Sequence, residues 1–233
     1  MIDLSARVDL PEQMDGPEID EAVYQRCLRD LAMVNRVTFT HRAAISWLNR
    51  ATKNLPQGAS LAIFDVAYGH GDLLRAIARW AQKRGFTVRL SGIDLNPRSA
   101  AAARLVTPVD MNIDYLTGDV FDYVPDTAPD FIVTSQFTHH LTNVDLVRLL
   151  WWLEQHATRG WHITDLHRHV IAYFGFPVLA SLMSWHPIVR YDGQISVARS
   201  FTSQNWRELL QQAELTAEIS WRLPFRHGVS RLK

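Results

Sequence analysis

Leu61-Ala-Ile-Phe-Asp65-Val-Ala67-Tyr-Gly69-His-Gly71-Asp72 decides the fold of this chain. Four apolar residues lead into Asp65, and a tight Gly69-His70-Gly71 turn then opens an amphipathic run. A strand, a glycine turn and a helix in that order bring bare backbone close to a ligand at the carboxyl end of the strand. A dinucleotide cradle would place a small residue at the sixth position of its glycine motif. Here that position is Leu74, and Asp65 and Asp72 flank the turn with negative charge. The acidic rim disfavours a pyrophosphate and NAD, and suits a cationic ligand such as the sulfonium of S-adenosylmethionine. An ordinary strand-to-helix turn is the alternative, so the rest of the chain has to decide.

Downstream the pattern alternates. Strands are expected at 61–66, 87–93, 113–117, 131–135 and 161–165, with helices at 72–84, from Pro97, and at 144–157. Such alternation predicts a doubly wound, mostly parallel sheet covered on both faces. A helix at 203–213 and two closely linked strands at 216–221 and 227–232 suggest a terminal hairpin on the sheet edge. Upstream, apolar spacing between Ile19 and Ala51 predicts two helices that break near 37–40. Residues 1–17, with Pro11, Gly16 and Pro17 among acids, read as a loosely held arm. The expected division is an arm and helical cap over 1–58 and a core over 59–233.

Composition narrows the partners. The 24 basic and 24 acidic residues cancel, which leaves no field to attract nucleic acid. Cys27 is the only cysteine, and no basic-then-apolar signal opens the chain, as expected of a cytoplasmic protein. The uncharged run 170–184 is shorter than a membrane span and is interrupted by Gly175 and Pro177, so it is expected to be buried or ligand-facing and not inserted in a membrane.

In open α/β sheets the ligand lies outside the carboxyl ends of the strands. Gly92-Ile-Asp94-Leu95-Asn96 ends the second strand, where an acid accepts ribose hydroxyls. Gly118-Asp119-Val120-Phe121 follows the third, where Asp119 faces an adenine amino group and Val120 its ring. Ser135-Gln136-Phe137-Thr138-His139-His140-Leu141 follows the fourth. Each acid alone is better explained as a helix cap or a solvated loop residue. Three at successive strand ends, beside this turn, are not.

These segments resemble, in order and spacing over about residues 60 to 233, the motifs of class I S-adenosylmethionine-dependent methyltransferases. The resemblance implies a Rossmann-like seven-stranded sheet with an antiparallel last strand and a helical N-terminal cap. It implies S-adenosylmethionine as cofactor, S-adenosylhomocysteine as product, and a cofactor site of Asp65, Ala67, Tyr68, Gly69 and Gly71, then Asp94, Leu95, Asn96, Asp119, Val120 and Gln136. Ala67 departs from the glycine more common in the family. Pro11-Glu-Gln-Met-Asp15, Leu31-Ala-Met-Val-Asn-Arg36, Thr164-Asp-Leu-His-Arg168 and Arg190-Tyr-Asp-Gly-Gln-Ile-Ser-Val197 resemble a bacterial subgroup associated with phenolic-lipid and quinone-type O-methylation. That similarity implies Arg36 as a partner of the cofactor carboxylate, with a surface ion pair as its alternative.

A phenol titrates near about 10, so a base assists its methylation. His140, or His139 beside it, is the expected base, because histidine accepts a proton at neutral pH. Asp165, His167 and Arg168 follow the fifth strand, and an apolar insertion at about 169–200 carries Tyr173, Phe176 and Arg199. These six are expected to contact a small lipophilic acceptor; an ion-pair scaffold for the next helix is the equal alternative for Asp165, His167 and Arg168, and core packing or a homodimer interface for the apolar ones. The His167-x-His169 pair lacks a carboxylate partner, and no metal site is expected. C-methylation of an electron-rich ring, and a non-catalytic binding protein on the same fold, stay open as alternatives.

Overall fold

The computed structural model describes residues 3–16 and 18–233. Its centre is a seven-stranded sheet in the order β3-β2-β1-β4-β5-β7-β6, comprising β1 (Ser60–Val66), β2 (Thr87–Asp94), β3 (Ile113–Thr117), β4 (Phe131–Ser135), β5 (Gly160–Leu166), β6 (Glu218–Arg222) and β7 (Arg226–Leu232). Strands β1 to β5 pair in parallel, and β7 runs antiparallel between β5 and β6. The chain order reverses between β1 and its neighbours β2 and β4, which makes the carboxyl end of β1 the switch point where such sheets open a crevice.

Strand β1 shows why both faces are covered. Leu61 and Ile63 pack on one side with Trp47, Leu74 and Leu90, whereas Phe64 and Val66 pack on the other with Leu146, Leu150 and Trp161. Side chains alternate along a strand, so an apolar residue at nearly every position needs a layer of helices on each face. Helices α2 (His41–Ala51), α3 (Asp72–Arg84) and α4 (Pro97–Val106) supply one layer, and α5 (Asn143–His156) and α8 (Ser203–Gln212) the other. Helix α1 (Glu21–Val37) ends at the expected break and packs Tyr24, Cys27 and Leu28 against Ala180, Trp185 and Val189 of the insertion.

Two expectations change. The run from Val170 is not broken at Gly175 or Pro177: α6 (Val170–Leu182) continues through both, and α7 (Pro187–Arg199) follows it. Proline removes a donor to the carbonyl four residues earlier, and that carbonyl, of Tyr173, accepts from Gln194 Nε2 at 3.2 Å instead. Only the inner side of α6 is buried, since Val170, Ile171, Phe174, Val178 and Leu182 are exposed. The N-terminal arm, in turn, is firmly docked. The Arg7 guanidinium lies 3.9 Å over the Phe201 ring and donates to the Leu141 carbonyl at 2.8 Å, while the Gln13 and Met14 amides donate to Asp192 at 2.7 and 2.9 Å. Among the described residues no helix is long and apolar enough to cross a membrane.

Candidate active site

The glycine turn is built from left-handed backbone. Ala67, Gly69 and Gly71 have φ of 59°, 52° and 72°. Alanine is uncommon in that region, and the Ala67 amide is held there by the Ile93 carbonyl at 2.8 Å. Asp94 ties the turn down, accepting from the Gly69 amide at 2.8 Å with one oxygen and from the Asn96 amide at 2.9 Å with the other. The two glycines serve different ends. Nothing lies within 4 Å of where a Gly69 side chain would point, whereas a Gly71 side chain would meet the buried Tyr115 hydroxyl at 2.5 Å.

The turn opens onto a cavity of about 820 Å³. Ala67, Gly69, Asp94, Leu95 and Asn96 line its near wall, and Asp119, Val120, Gln136 and His140 its far wall. Burial pushes the Asp94 carboxyl up, partly opposed by its two amide hydrogen bonds. Asp119 caps the next turn through the Phe121 amide at 2.9 Å. Gln136 carries two marks of a working position: φ is 59°, and its buried Oε1 has no hydrogen-bond partner.

Three residues expected at the cofactor lie beneath this wall and not on it. Asp65 is fully buried with one oxygen unpartnered, and burial, reinforced by Asp72 and Asp94, holds its carboxyl well above the usual range. Tyr68 donates to the Leu116 carbonyl at 3.0 Å and packs on Tyr115. Gly71 caps α3. Arg36 lies apart, in a separate hollow of about 540 Å³ with Arg42, Arg75, Arg79, His41 and Asp72.

A second cavity, of about 340 Å³, adjoins the first and shares Glu12, Leu31, Gln136 and His140 with it. Its other walls are chiefly apolar: Val34, Leu166, Ile171, Phe176, Leu179 and Val197. His139 also lines it, on a short turn (Thr138–His140) after β4.

The polar residues at this junction form one network. Asp165, fully buried, accepts from His139 Nδ1 at 2.7 Å, from the His139 amide at 2.9 Å and from the Thr138 hydroxyl. Glu12 Oε1 accepts from the Ser196 hydroxyl at 2.8 Å, and stands 3.6 Å from His139 Nε2 and 3.8 Å from His140 Nε2. Burial alone would depress the His139 pKa, but the carboxylates of Asp165 and Glu12 override it and raise it to about 10. Burial likewise pushes Glu12 and Asp165 up, and the His139 imidazolium outweighs it, holding both at about 2. His139 is therefore a cation clamped between two anions. His140, 27 % exposed, lines both cavities.

Of the six residues expected at the acceptor, Phe176 lines the second cavity and the other five lie behind its walls. Arg199 donates to the carbonyls of His139 and His140, both at 3.2 Å, and of Leu10 at 3.0 Å, pinning the histidine turn and the arm. Arg168 holds Ser200 O at 2.6 Å and Leu4 O at 3.0 Å. Tyr173 is buried against Val197 and Ala198. The His167 ring packs at a 54° tilt on His227, with ring centroids 4.5 Å apart. Asp165 serves His139. Glu12 and Ser196 are the site residues sequence reasoning did not single out. The only signal was that both lie in short segments, 11–15 and 190–197, with subgroup resemblance.

Residues 64–150 match the family model described as a methyltransferase domain. No curated protein is significantly similar to the chain. Among solved structures, an S-adenosylmethionine-dependent methyltransferase from Aquifex aeolicus is similar at 14% identity and a TM-score of 0.62, over 92% of this chain and 99% of that one. Magnesium protoporphyrin IX methyltransferase from Synechocystis is similar at 16% identity and a TM-score of 0.56, over 95% and 91%. The plantazolicin methyltransferase is similar at 14% identity and a TM-score of 0.60, over 94% and 88%. Residues 64–150 thus match a methyltransferase domain, and the chain as a whole shares the fold of these solved methyltransferases.

Proposed function

We propose that the protein methylates the hydroxyl of a small lipophilic phenol, with S-adenosylmethionine as donor. The observation that carries this is the junction of two cavities, one lined by several acids, the other chiefly apolar, with His140 and Glu12 lining both.

The donor set of the larger cavity fits this cofactor. Carboxylates at Asp94 and Asp119 suit ribose hydroxyls and an adenine amino group, Val120 supplies an apolar face for the ring, and the orphaned Gln136 Oε1 is an acceptor for an ammonium. Gly69 leaves the backbone open to close approach. When bound, S-adenosylmethionine supplies a methyl group already activated as a sulfonium. What remains for the chain is to position the acceptor and remove its proton.

The smaller cavity orients an apolar ring through Phe176, Leu179 and Val197, and directs its hydroxyl to the polar junction. His140 takes the hydroxyl proton there. The Glu12 carboxylate stands 3.8 Å from His140 Nε2. His139 is already held as a cation and orders Glu12, so it positions the site and does not act as the base. Solved neighbours are a magnesium protoporphyrin IX methyltransferase and a plantazolicin methyltransferase in complex with a desmethylPZN analog. The acceptor class proposed here rests on this chain's own cavity.

The test is incubation with S-adenosylmethionine and a panel of alkyl-substituted phenols, read by product mass and fragmentation. A methyl group on oxygen, lost in Asp94→Ala, supports the proposal. A methyl group on a ring carbon replaces it with the C-methylation alternative, and no transfer to any phenol overturns it.

A further inference from the structure

The three side chains at the junction have a second property, independent of their use as acid or base. One carboxylate oxygen of Glu12 and one ring nitrogen each of His139 and His140 lie within 4.8 Å of one another, and among the described residues this is the group with metal-ligand chemistry. Two of the separations are 3.6 and 3.8 Å. Ligand atoms held about 2.1 Å from a cation stand roughly 3 to 3.5 Å apart, so Glu12 and the histidines need to close by only a few tenths of an ångström on those edges. His140, the most exposed of the three, supplies the remaining movement.

The surroundings match such a site. A ligating histidine characteristically donates its other ring N–H to a carboxylate, which fixes the tautomer and aims the free nitrogen at the metal. His139 does this: Nδ1 is 2.7 Å from the fully buried Asp165, and Nε2 faces Glu12. Ser196 fixes Glu12, and Arg199 fixes the carbonyls of both histidines. The His167-x-His169 pair lacks these features: the His167 Nδ1 is buried without a partner and its ring packs on His227.

We propose that Glu12, His139 and His140 bind one divalent transition-metal cation at the junction of the two cavities. Two imidazoles and one carboxylate suit zinc, manganese or ferrous iron better than magnesium, and three protein ligands leave coordination positions open toward both cavities. The chemical role of the ion rests on the methyl-transfer proposal above. An acceptor hydroxyl entering an open position loses its proton to solvent and binds as the phenolate, with His140 a ligand in place of the proton acceptor it is in the cation-free protein.

Chelator-treated full-length protein is titrated calorimetrically with Zn²⁺, Mn²⁺ and Mg²⁺, and separately with S-adenosylhomocysteine. The expected result is one Zn²⁺ or Mn²⁺ per chain, with weaker Mg²⁺. Affinity should fall by at least ~10–100-fold in Glu12→Gln and in His140→Gln, and by a similar factor in Asp165→Asn, which removes the partner of His139. His167→Gln should bind as the parent does. Melting temperature gives a second readout, rising with Zn²⁺ in the parent and not in Glu12→Gln. Absence of saturable binding, or binding that survives both Glu12→Gln and His140→Gln, overturns the cation site. Cation binding without S-adenosylhomocysteine binding leaves the site standing and removes the methyl-transfer proposal; the converse does the reverse.

Discussion

Gly69 and Gly71 lie two residues apart in one turn, yet alanine should act on them in opposite ways. At Gly71 the backbone has φ 72° and ψ 14°, where a Cβ costs roughly 1–2 kcal/mol. The new methyl group would also stand 2.5 Å from the Tyr115 hydroxyl and 2.7 Å from its ring. Tyr115 cannot swing aside freely, because it is buried, packs on Tyr68 at 4.9 Å and shares a 2.9 Å hydrogen bond with Thr107. Forcing it out adds about 1–3 kcal/mol for overpacking and about 1 kcal/mol for the hydrogen bond. Gly71→Ala should therefore lose about 3–6 kcal/mol, a large part of the roughly 5–15 kcal/mol of a typical domain. At Gly69 only the left-handed backbone term applies, about 1–2 kcal/mol, since no atom lies within 4 Å of the new methyl group. That methyl group would instead enter the larger cavity. Urea denaturation gives the stabilities, and titration with S-adenosylhomocysteine gives the binding. Gly69→Ala should keep most of its stability and lose at least ~10-fold in affinity, about 1.4 kcal/mol. Equal stability losses in the two variants would refute the assignment of Gly71 to packing and Gly69 to the cofactor.

Further outcomes follow from the same geometry. Asp94→Ala should weaken S-adenosylhomocysteine binding by at least ~100-fold, because two charge-assisted hydrogen bonds of roughly 1.5–3 kcal/mol each are lost, and calorimetry reads this directly. In chelator-treated protein, the raised His139 pKa contributes stability that is full below about 6.5 and is lost as pH rises toward about 10. The depressed Glu12 and Asp165 pKa values contribute stability that is full above the ordinary carboxylate range and is lost as pH falls toward about 2. Urea midpoints measured from pH 3 to 9 should thus fall on both sides for the parent, and His139→Gln should flatten that profile. Gly193→Ala should press on the Phe176 ring, which the new methyl group would meet, and so lower kcat/KM for the acceptor while leaving S-adenosylhomocysteine affinity within ~2-fold.

The sheet was legible because its signals are local. Asp65, Gly69 and Gly71 mark a strand-to-helix turn, and Asp94 and Asp119 stand at strand ends, so their convergence follows from parallel topology alone. The polar junction was only half legible. His139 and His140 are adjacent in the sequence, but which one is clamped depends on Asp165 from the next strand and on Glu12 from the arm. Neither contact has a periodicity to reveal it. The docked arm escaped detection for the same reason: its proline- and acid-rich composition is that of a loop, and it is fixed by side chains such as Asp192 and Leu141 far along the chain. Helix α6 shows local propensity yielding to tertiary contact, since Gln194 on α7 satisfies the carbonyl that Pro177 strands.

Calorimetric titration of the purified protein with S-adenosylmethionine and S-adenosylhomocysteine, with NAD as control, tests the central claim most directly. Saturable 1:1 binding of both with micromolar affinity, absent in Asp94→Ala and absent for NAD, is the predicted result. No binding of either compound to the folded protein would contradict the claim that the acid-lined cavity beneath Gly69 holds this cofactor.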